Sequence, residues 1–438
     1  MFTEIINWSD LSSHEQATLL ERPALVAHDD IMQRAAQIIA AVRERGDTAL
    51  HDFAKQIEGR DLESLKVSGA EIANAESTLQ PEAKAAIETA ITNISCFHEA
   101  QTPAEIDIAV SRGVRCQRQN RAIDAVGLYV PAGSAPLPST AIMLAVPASI
   151  AACPVRILCT PADEDGNVNA ATLYAAERSG ITDVFKIGGA QAIAAMAYGT
   201  AIVPKVDRIF GPGNAWVTAA KSLVACDPAG ASIDSPAGPS EVLVIADDTA
   251  NPKFIAADLL SQAEHGEDSQ VILITTNRGV ADEAINEARK QLARLPRQAI
   301  AQEALRHSHV ILTDRVDTAI AISNRYAPEH LILQIVNPRT VLGQVRNAGS
   351  VFLGRWSPES VGDYCSGTNH VLPTYGAARS YSGLGVEQFM RQMTVQELSE
   401  EGLRSLAPTV FEFATLEGLD AHAEAVRLRL EDAAGPTP

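Results

Sequence analysis

Apolar positions along the chain change period several times, and those changes outline its elements. Residues 1–25 read as a short polar arm. From Asp30 to Lys55 the apolar residues Ile31, Ile38, Val42, Leu50 and Phe53 recur at helical spacing around Gly46, and a second helix is expected over 81–98. Residues 125–130 form a buried strand that runs into 131–140, a stretch too rich in Pro and Gly for regular structure. Beyond it, strands are expected over 156–159, 183–187, 207–210, 241–246, 270–275, 310–313, 330–334 and 350–353. Helices are expected between them, over 170–178, 190–198, 215–225, 252–264 and 281–292. Strands alternating with helices imply parallel sheets covered on both faces, and the strand count exceeds one ordinary sheet. The expected fold is therefore α/β, with two Rossmann-like doubly wound units, a helical N-terminal arm and a helical C-terminal tail. The Pro/Gly-rich stretch Ser235–Ser240 is the expected seam, and a ligand is expected beyond the carboxyl ends of strands. Residues 356–374 form a polar loop too long for a mere connector. From about Gln388 the chain turns helical and charged, a tail of about fifty residues that cannot build a core alone and must dock on something.

Composition narrows the function classes. The chain has 438 residues, 46% of them hydrophobic, enough for buried cores. Its 35 Lys plus Arg against 54 Asp plus Glu give a net charge of −19, which repels nucleic acid and anionic lipid. The N-terminus has no basic region and soon meets Asp10 and Glu15, unlike a signal or transit peptide. The most apolar run, 141–160, is broken by Pro147, Pro154 and Arg156 and falls short of a ~20-residue membrane span. A cytoplasmic protein with no nucleic-acid or membrane partner is expected. Six scattered cysteines with no C-x-x-C pair read as reduced thiols, including Cys365 in the long loop.

Candidate chemistry concentrates in four places. Gln262 and His265 stand three residues apart, so on a helix ended by Gly266 their Cβ atoms would lie roughly 5–6 Å apart on one face. Partners with metal-binding heads are Asp363 and His370 in the long loop and His422 in the tail; the set suits zinc, with manganese or cobalt left open by ligand type. Glu329 and His330 sit where a turn enters a strand, with a near-neutral imidazole as the usual general base beside a carboxylate that can activate water. No G-x-G-x-x-G follows a strand. The turns Gly188-Gly189 and Gly211-Pro212-Gly213-Asn214 each join a strand to a helix, where free backbone N–H groups can hold a pyrophosphate.

Several ordered motifs occur together: Gly-Pro-Gly-Asn at 211–214, Pro-Ala-Gly-Pro-Ser-Glu at 236–241, Ser-Gln-Ala-Glu-His-Gly at 261–266, Ala-Pro-Glu-His-Leu at 327–331 and Gly-Asp-Tyr-Cys-Ser-Gly-Thr-Asn-His-Val-Leu-Pro-Thr at 362–374. In this combination the chain resembles histidinol dehydrogenase, from the N-terminal arm to the tail. The resemblance implies oxidation of L-histidinol to L-histidine through L-histidinal with two NAD, in the last two steps of histidine biosynthesis. It implies a homodimer with one Zn2+ per subunit, held by Gln262, His265, Asp363 and His422, with His422 arriving from an exchanged C-terminal tail. His330 would be the general base and Glu329 the group that activates water, while zinc orients the substrate through its amino and imidazole nitrogens. Ser240, His370 and Glu417 would contact substrate, together with the metal ligands and His330; Tyr129, Gln191 and Asn214 would contact NAD. The weak glycine pattern implies modest NAD affinity in an unusual pose. The implied domains are an arm (1–25), a substrate and zinc domain (26–128 with 240–384), an NAD domain (129–239) and a helical tail (385–438).

Three other readings compete. A dehydrogenase of the same family acting on another small alcohol, such as a sulfonated diol, would share the fold. A zinc hydrolase would polarise water and have no use for NAD. In a non-catalytic scaffold the metal would only tie tail to core.

Overall fold

The computed structural model describes residues 4–22, 28–132, 135–181, 183–234 and 238–433. Its strands, in chain order, are β1 (Ile5–Asn7), β2 (Ile106–Ser111), β3 (Val114–Ala122), β4 (Ala125–Tyr129), β5 (Val155–Thr160), β6 (Asp183–Lys186), β7 (Arg208–Phe210), β8 (Ser232–Ile233), β9 (Glu241–Ala246), β10 (Gln270–Thr275), β11 (His309–Leu312), β12 (His330–Gln334), β13 (Ser350–Leu353) and β14 (Met390–Leu398). They form a six-stranded sheet in the order β1-β11-β10-β9-β12-β13, a five-stranded sheet in the order β6-β5-β4-β7-β8 and a three-stranded sheet in the order β14-β3-β2. The first two are wholly parallel. Every residue of β9, β10 and β12 is buried, which explains why their sequences EVLVIA, QVILIT and HLILQ run nearly unbroken in apolar residues: helices cover both faces. The strand earliest in sequence after the edge strand β1 lies centrally in each parallel sheet, and the order reverses between β9 and β12 and between β4 and β7. Two doubly wound units are thus present, as expected.

The chain packs as two compact units. One comprises Met1–Gln101 with Ile123–Phe389 and contains both parallel sheets; the other comprises Thr102–Ala122 with Met390–Pro438. In the first unit, helices His28–Arg45 and Asp47–Gln56 are separated at Gly46, whose φ of 54° suits glycine. Their residues Ala35, Ile39, Val42, Leu50 and Ala54 share a core with Tyr129, Ile157, Phe185, Ile193 and Val217 of the five-stranded sheet and its helices. Those helices, grouped by sequence with 240–384, therefore pack on the 129–239 side. Of the expected seam, Ser235 to Ala237 lie outside the described residues, as do Gly133 and Ser134 of the 131–140 loop and the ends of the arm.

Two expectations need correction. The arm is not simply helical: β1 pairs in parallel with β11 at the sheet edge, and a helix Ser13–Leu19 follows, opened by a Ser12–Glu15 capping box. The tail is not helical from its start, because β14 pairs antiparallel with β3 through nine residue pairs before the helices Glu400–Glu417 and Asp420–Ala433 begin. The strand is mostly exposed, so neither face carries the apolar alternation by which a strand is recognised. Its β-structure comes from a partner far away in sequence. Among the described residues of this second unit only Val114, Ala407 and Ala414 are buried apolar side chains, while Phe413 is 57% and Leu416 72% exposed. The expectation that the tail lacks its own core agrees with this packing.

The helix Pro252–Ala263 carries the candidate metal ligand Gln262 to the amino edge of the six-stranded sheet. Asn251 caps it through Lys253 N–H and Pro252 occupies its first position. On the same helix the Asp258 carboxylate accepts from Gln334 Nε2 at 2.8 Å, and burial pushes its pKa up to about 7. Its folded pKa lies above the unfolded value of about 4, so its effect on stability is nil below that pH and increasingly unfavourable as pH rises towards 7. Asp258→Asn is expected to leave the denaturation midpoint unchanged near pH 4 and to raise stability by up to about 4 kcal/mol near pH 7. Denaturant titrations across that range check this; an equal effect at both pH values would reject it.

Candidate active site

The site is built on the first residues of two neighbouring strands. His330 opens β12 and pairs in register with Val242 of β9 and Ser350 of β13. The preceding helix, Val316–Tyr326, ends at Ala327 in the left-handed region with φ 56°, so the chain turns sharply and Pro328 delivers Glu329 and His330 to the sheet edge. Both side chains fold back on one residue. Glu329 Oε2 accepts from the backbone N–H of Glu241 at 2.8 Å, and His330 Nδ1 lies 3.0 Å from the Glu241 carbonyl oxygen. A carbonyl can only accept, so Nδ1 carries a proton in either charge state, and in the neutral ring the lone pair is on Nε2. Nε2 is buried with no hydrogen-bond partner and lies 3.4 Å from Asp363 Oδ1. Burial disfavours the imidazolium, yet the Glu329 and Asp363 carboxylates outweigh it and hold His330 well above the ordinary imidazole range. The result is an aimed, strong proton acceptor.

Glu241 itself is pinned. Its buried carboxylate pairs with Arg22 Nε, accepts from Arg22 Nη2 at 2.9 Å and from Tyr375 N–H at 3.1 Å. Removing one partner of such a buried pair costs about 3–5 kcal/mol, so the pair fixes the residue on which Glu329 and His330 lean. Ser240, immediately before it, is half-buried and its carbonyl accepts from Gln270 N–H.

The metal candidates converge beside His330. Gln262 is 1% exposed in the last turn of its helix. His265 is not on that helix, which stops at Ala263 before Gly266 is reached; a turn closed by His265 N–H to Gln262 O swings the exposed imidazole round the helix end. His265, Asp363 and Glu359 each offer a ligand atom, and these lie within 4.8 Å of one another. Gln262 Nε2 donates to Glu359 Oε1 at 2.5 Å, while Gln262 Oε1 is buried without a partner. An orphaned buried acceptor beside a His–Asp pair fits a divalent cation. Glu359 was not foreseen, although it stands four residues before Asp363, a spacing that places both on one face of the short helix Glu359–Tyr364.

His370 Nδ1 lies 2.9 Å from the Asp363 carbonyl oxygen and its Nε2 3.3 Å from Thr140 Oγ1, another contact not foreseen. Burial lowers its pKa, against the pull of Asp363, leaving a neutral ring whose Nε2 can accept. Glu417 and His422 belong to the second unit, exposed on the two helices that meet at Gly418.

The remaining residues lie at the carboxyl ends of the five-stranded sheet, beside its order reversal, whereas Ser240, Glu329 and His330 lie at the amino edge of the other sheet, contrary to the expectation of a carboxyl-end site there. Tyr129 ends β4, and its hydroxyl accepts from Gly189 N–H at 3.0 Å. Gly211, after β7, passes so close that a Cβ there would lie 2.2 Å from the Tyr129 carbonyl oxygen. Several of the backbone N–H groups expected to be free for a pyrophosphate are in use. Gly188 N–H donates to the Glu58 carboxylate, which also accepts from Gln191 Nε2 at 2.7 Å, and Asn214 Oδ1 caps the helix Ala215–Cys226 through the N–H groups of Trp216 and Val217. Glu58 arrives from 130 residues upstream of Gly188, a distance no local pattern spans.

Comparison with known proteins agrees with this geometry. The sequence model of the family described as histidinol dehydrogenase matches residues 21–430. The chain is 54% identical over 427 residues to a histidinol dehydrogenase of Vibrio parahaemolyticus, covering 97% of each sequence. It is 51% identical over 432 residues to one of Yersinia pestis, covering 98% of this chain and 96% of the relative. A crystal structure of histidinol dehydrogenase from Elizabethkingia anophelis superposes with a TM-score of 0.94 at 45% identity, covering 99% of both chains. Joined to the doubly wound sheets and the Glu329–His330 pair set against a metal-fitting cluster, these matches place the chain in the histidinol dehydrogenase family of oxidoreductases.

Proposed function

We propose that this chain catalyses the NAD-dependent, four-electron oxidation of L-histidinol to L-histidine by way of L-histidinal. The observation that carries the mechanism is the fixed tautomer of His330: with Nδ1–H bound to the Glu241 carbonyl, Nε2 points its lone pair at the place where Asp363 borders the metal cluster. When bound, zinc supplies an anchor for the substrate's amino and imidazole nitrogens, and NAD supplies the hydride acceptor. Gln262, His265 and Asp363 would hold the metal, with His422 of the partner subunit completing the set. His330 Nε2 takes the hydroxyl proton as the alcohol becomes aldehyde; Glu329 then withdraws a proton from water as it adds to the aldehyde, while His330 returns its proton to the aldehyde oxygen, and the freed Nε2 takes the proton of the resulting hydrate in the second oxidation, Glu329 releasing its proton to solvent. Ser240, His370 and Glu417 contact the substrate, Glu417 through its amino group. Tyr129, Gln191 and Asn214 contact NAD in the 129–239 segment; with the Gly188 N–H bound to Glu58 and the helix start at Ala215 capped by Asn214, the coenzyme is held in an unusual pose.

We further propose a homodimer that exchanges its C-terminal tails. The nearly coreless second unit, which carries Glu417 and His422 among exposed apolar side chains, supports that reading. Among the described residues no helix is long and apolar enough to cross a membrane, and a cytoplasmic location is proposed with it. The decisive assay incubates purified protein with L-histidinol and NAD and follows both products. About two NADH per histidine are expected, since each oxidation delivers one hydride. No NADH from metal-replete protein would reject the reading.

A further inference from the structure

An amide at a metal site has a direction that the metal alone does not set. The oxygen and nitrogen ends of glutamine have nearly the same shape, and only the oxygen can bind a cation. Gln262 therefore needs something to hold its nitrogen away from the ligand cluster. Glu359 meets that need. Its Oε1 accepts from Gln262 Nε2 at 2.5 Å, and its Oε2 lies 2.7 Å from the hydroxyl of Ser261, the neighbouring residue on the same helix. Turning the amide over would set two acceptor oxygens against each other in a site where Gln262 and Glu359 are each 1% exposed. In the observed direction the buried Gln262 Oε1 has no protein partner and is free for a cation.

We propose that Glu359 is a positioning residue for the metal: it locks the Gln262 amide so that Gln262 enters the site as a neutral oxygen donor. The proximity of Glu359 to His265 and Asp363, within 4.8 Å, is then a consequence of its place behind Gln262. The hydroxyl of Ser261, which also lies 2.9 Å from the Asp258 carbonyl oxygen, has a single proton; donated to Glu359 Oε2 it holds the second carboxylate oxygen, so Oε1 keeps facing the amide. Groups of this kind behind a metal ligand typically change metal affinity by about 10- to 100-fold.

The proposal rests on the zinc reading above, and the experiment separates the two. Zinc affinity of purified protein is measured by competition with a chromophoric chelator, with the melting temperature of the metal-free protein as control for folding. Gln262→Ala tests the zinc reading; undiminished affinity in that variant would remove Gln262 from the site. Given that loss, Glu359→Leu is expected to weaken zinc binding by about 10- to 100-fold. Glu359→Gln, which keeps shape but can present either end to the amide, is expected to weaken it less. In the Gln262→Ala background, Glu359→Leu is expected to add nothing, because there is no amide left to hold. The exchange Gln262→Glu with Glu359→Gln reverses donor and acceptor and should restore binding lost in Glu359→Gln alone. Unchanged affinity in Glu359→Leu and Glu359→Gln, or failure of the exchange to restore, would overturn the proposal. An undiminished further loss in the Gln262→Ala background would also do so, by making Glu359 a ligand in its own right.

Discussion

His330→Asn is expected to lower turnover by about 10²- to 10⁴-fold in both oxidations while leaving zinc content unchanged. Asparagine is the informative replacement because its amide nitrogen can occupy the place of Nδ1 and donate to the Glu241 carbonyl, which lies 3.0 Å from that atom in the native site. The fold at the start of β12 is thereby kept, and what disappears is Nε2, the atom with no other hydrogen-bond partner. Measured rates of NADH formation from histidinol and from histidinal, with metal analysis of the same sample, check the prediction. Loss of zinc together with activity would show instead that His330 supports the metal site, and near-normal turnover would move the base elsewhere.

Mixing two inactive proteins is expected to restore activity. If His422 serves the site of the partner subunit, a hybrid of His265→Asn and His422→Ala chains has one site with both defects and one with none. Random reassortment at equal concentrations makes about half of the dimers hybrid, so about a quarter of all sites should work. The exposed apolar side chains of the second unit, Phe413 and Leu416 among them, are the surface such an exchange would cover. Activity after subunit mixing is compared with that of each parent. No recovery, with hybrids demonstrated by mass spectrometry, would return His422 to its own chain.

Much of the architecture was legible in the sequence. The strands 241–246, 270–275, 330–334 and 350–353 were read with the bounds they have in the structure, because each is a short apolar run closed by turn residues and lies in a parallel sheet. The motifs around Gln262, His330 and Asp363 likewise pointed to the residues that the structure gathers at one sheet edge. The misses share a physical cause. β14 has no apolar face, and its strand form is imposed by β3 across more than a helix or loop can encode. Of the N–H groups expected to be free at two helix starts, those of Trp216 and Val217 are taken locally by Asn214, and that of Gly188 by Glu58 from far upstream. His265 left the helix assigned to it because a tight turn, rather than Gly266, ends that helix.

Residue order alone determined the periodicities, and with them two parallel α/β sheets, the acidic surface charge and the family to which the motifs belong. These properties are local or additive, so one chain read in one direction contains them. Tertiary structure decided the rest: that Glu329 and His330 both lean on Glu241, that this leaves Nε2 rather than Nδ1 as the base, and that Glu359 stands behind Gln262. Each depends on a hydrogen bond between residues about ninety positions apart, where partner choice is set by which strand ends meet once the core has closed.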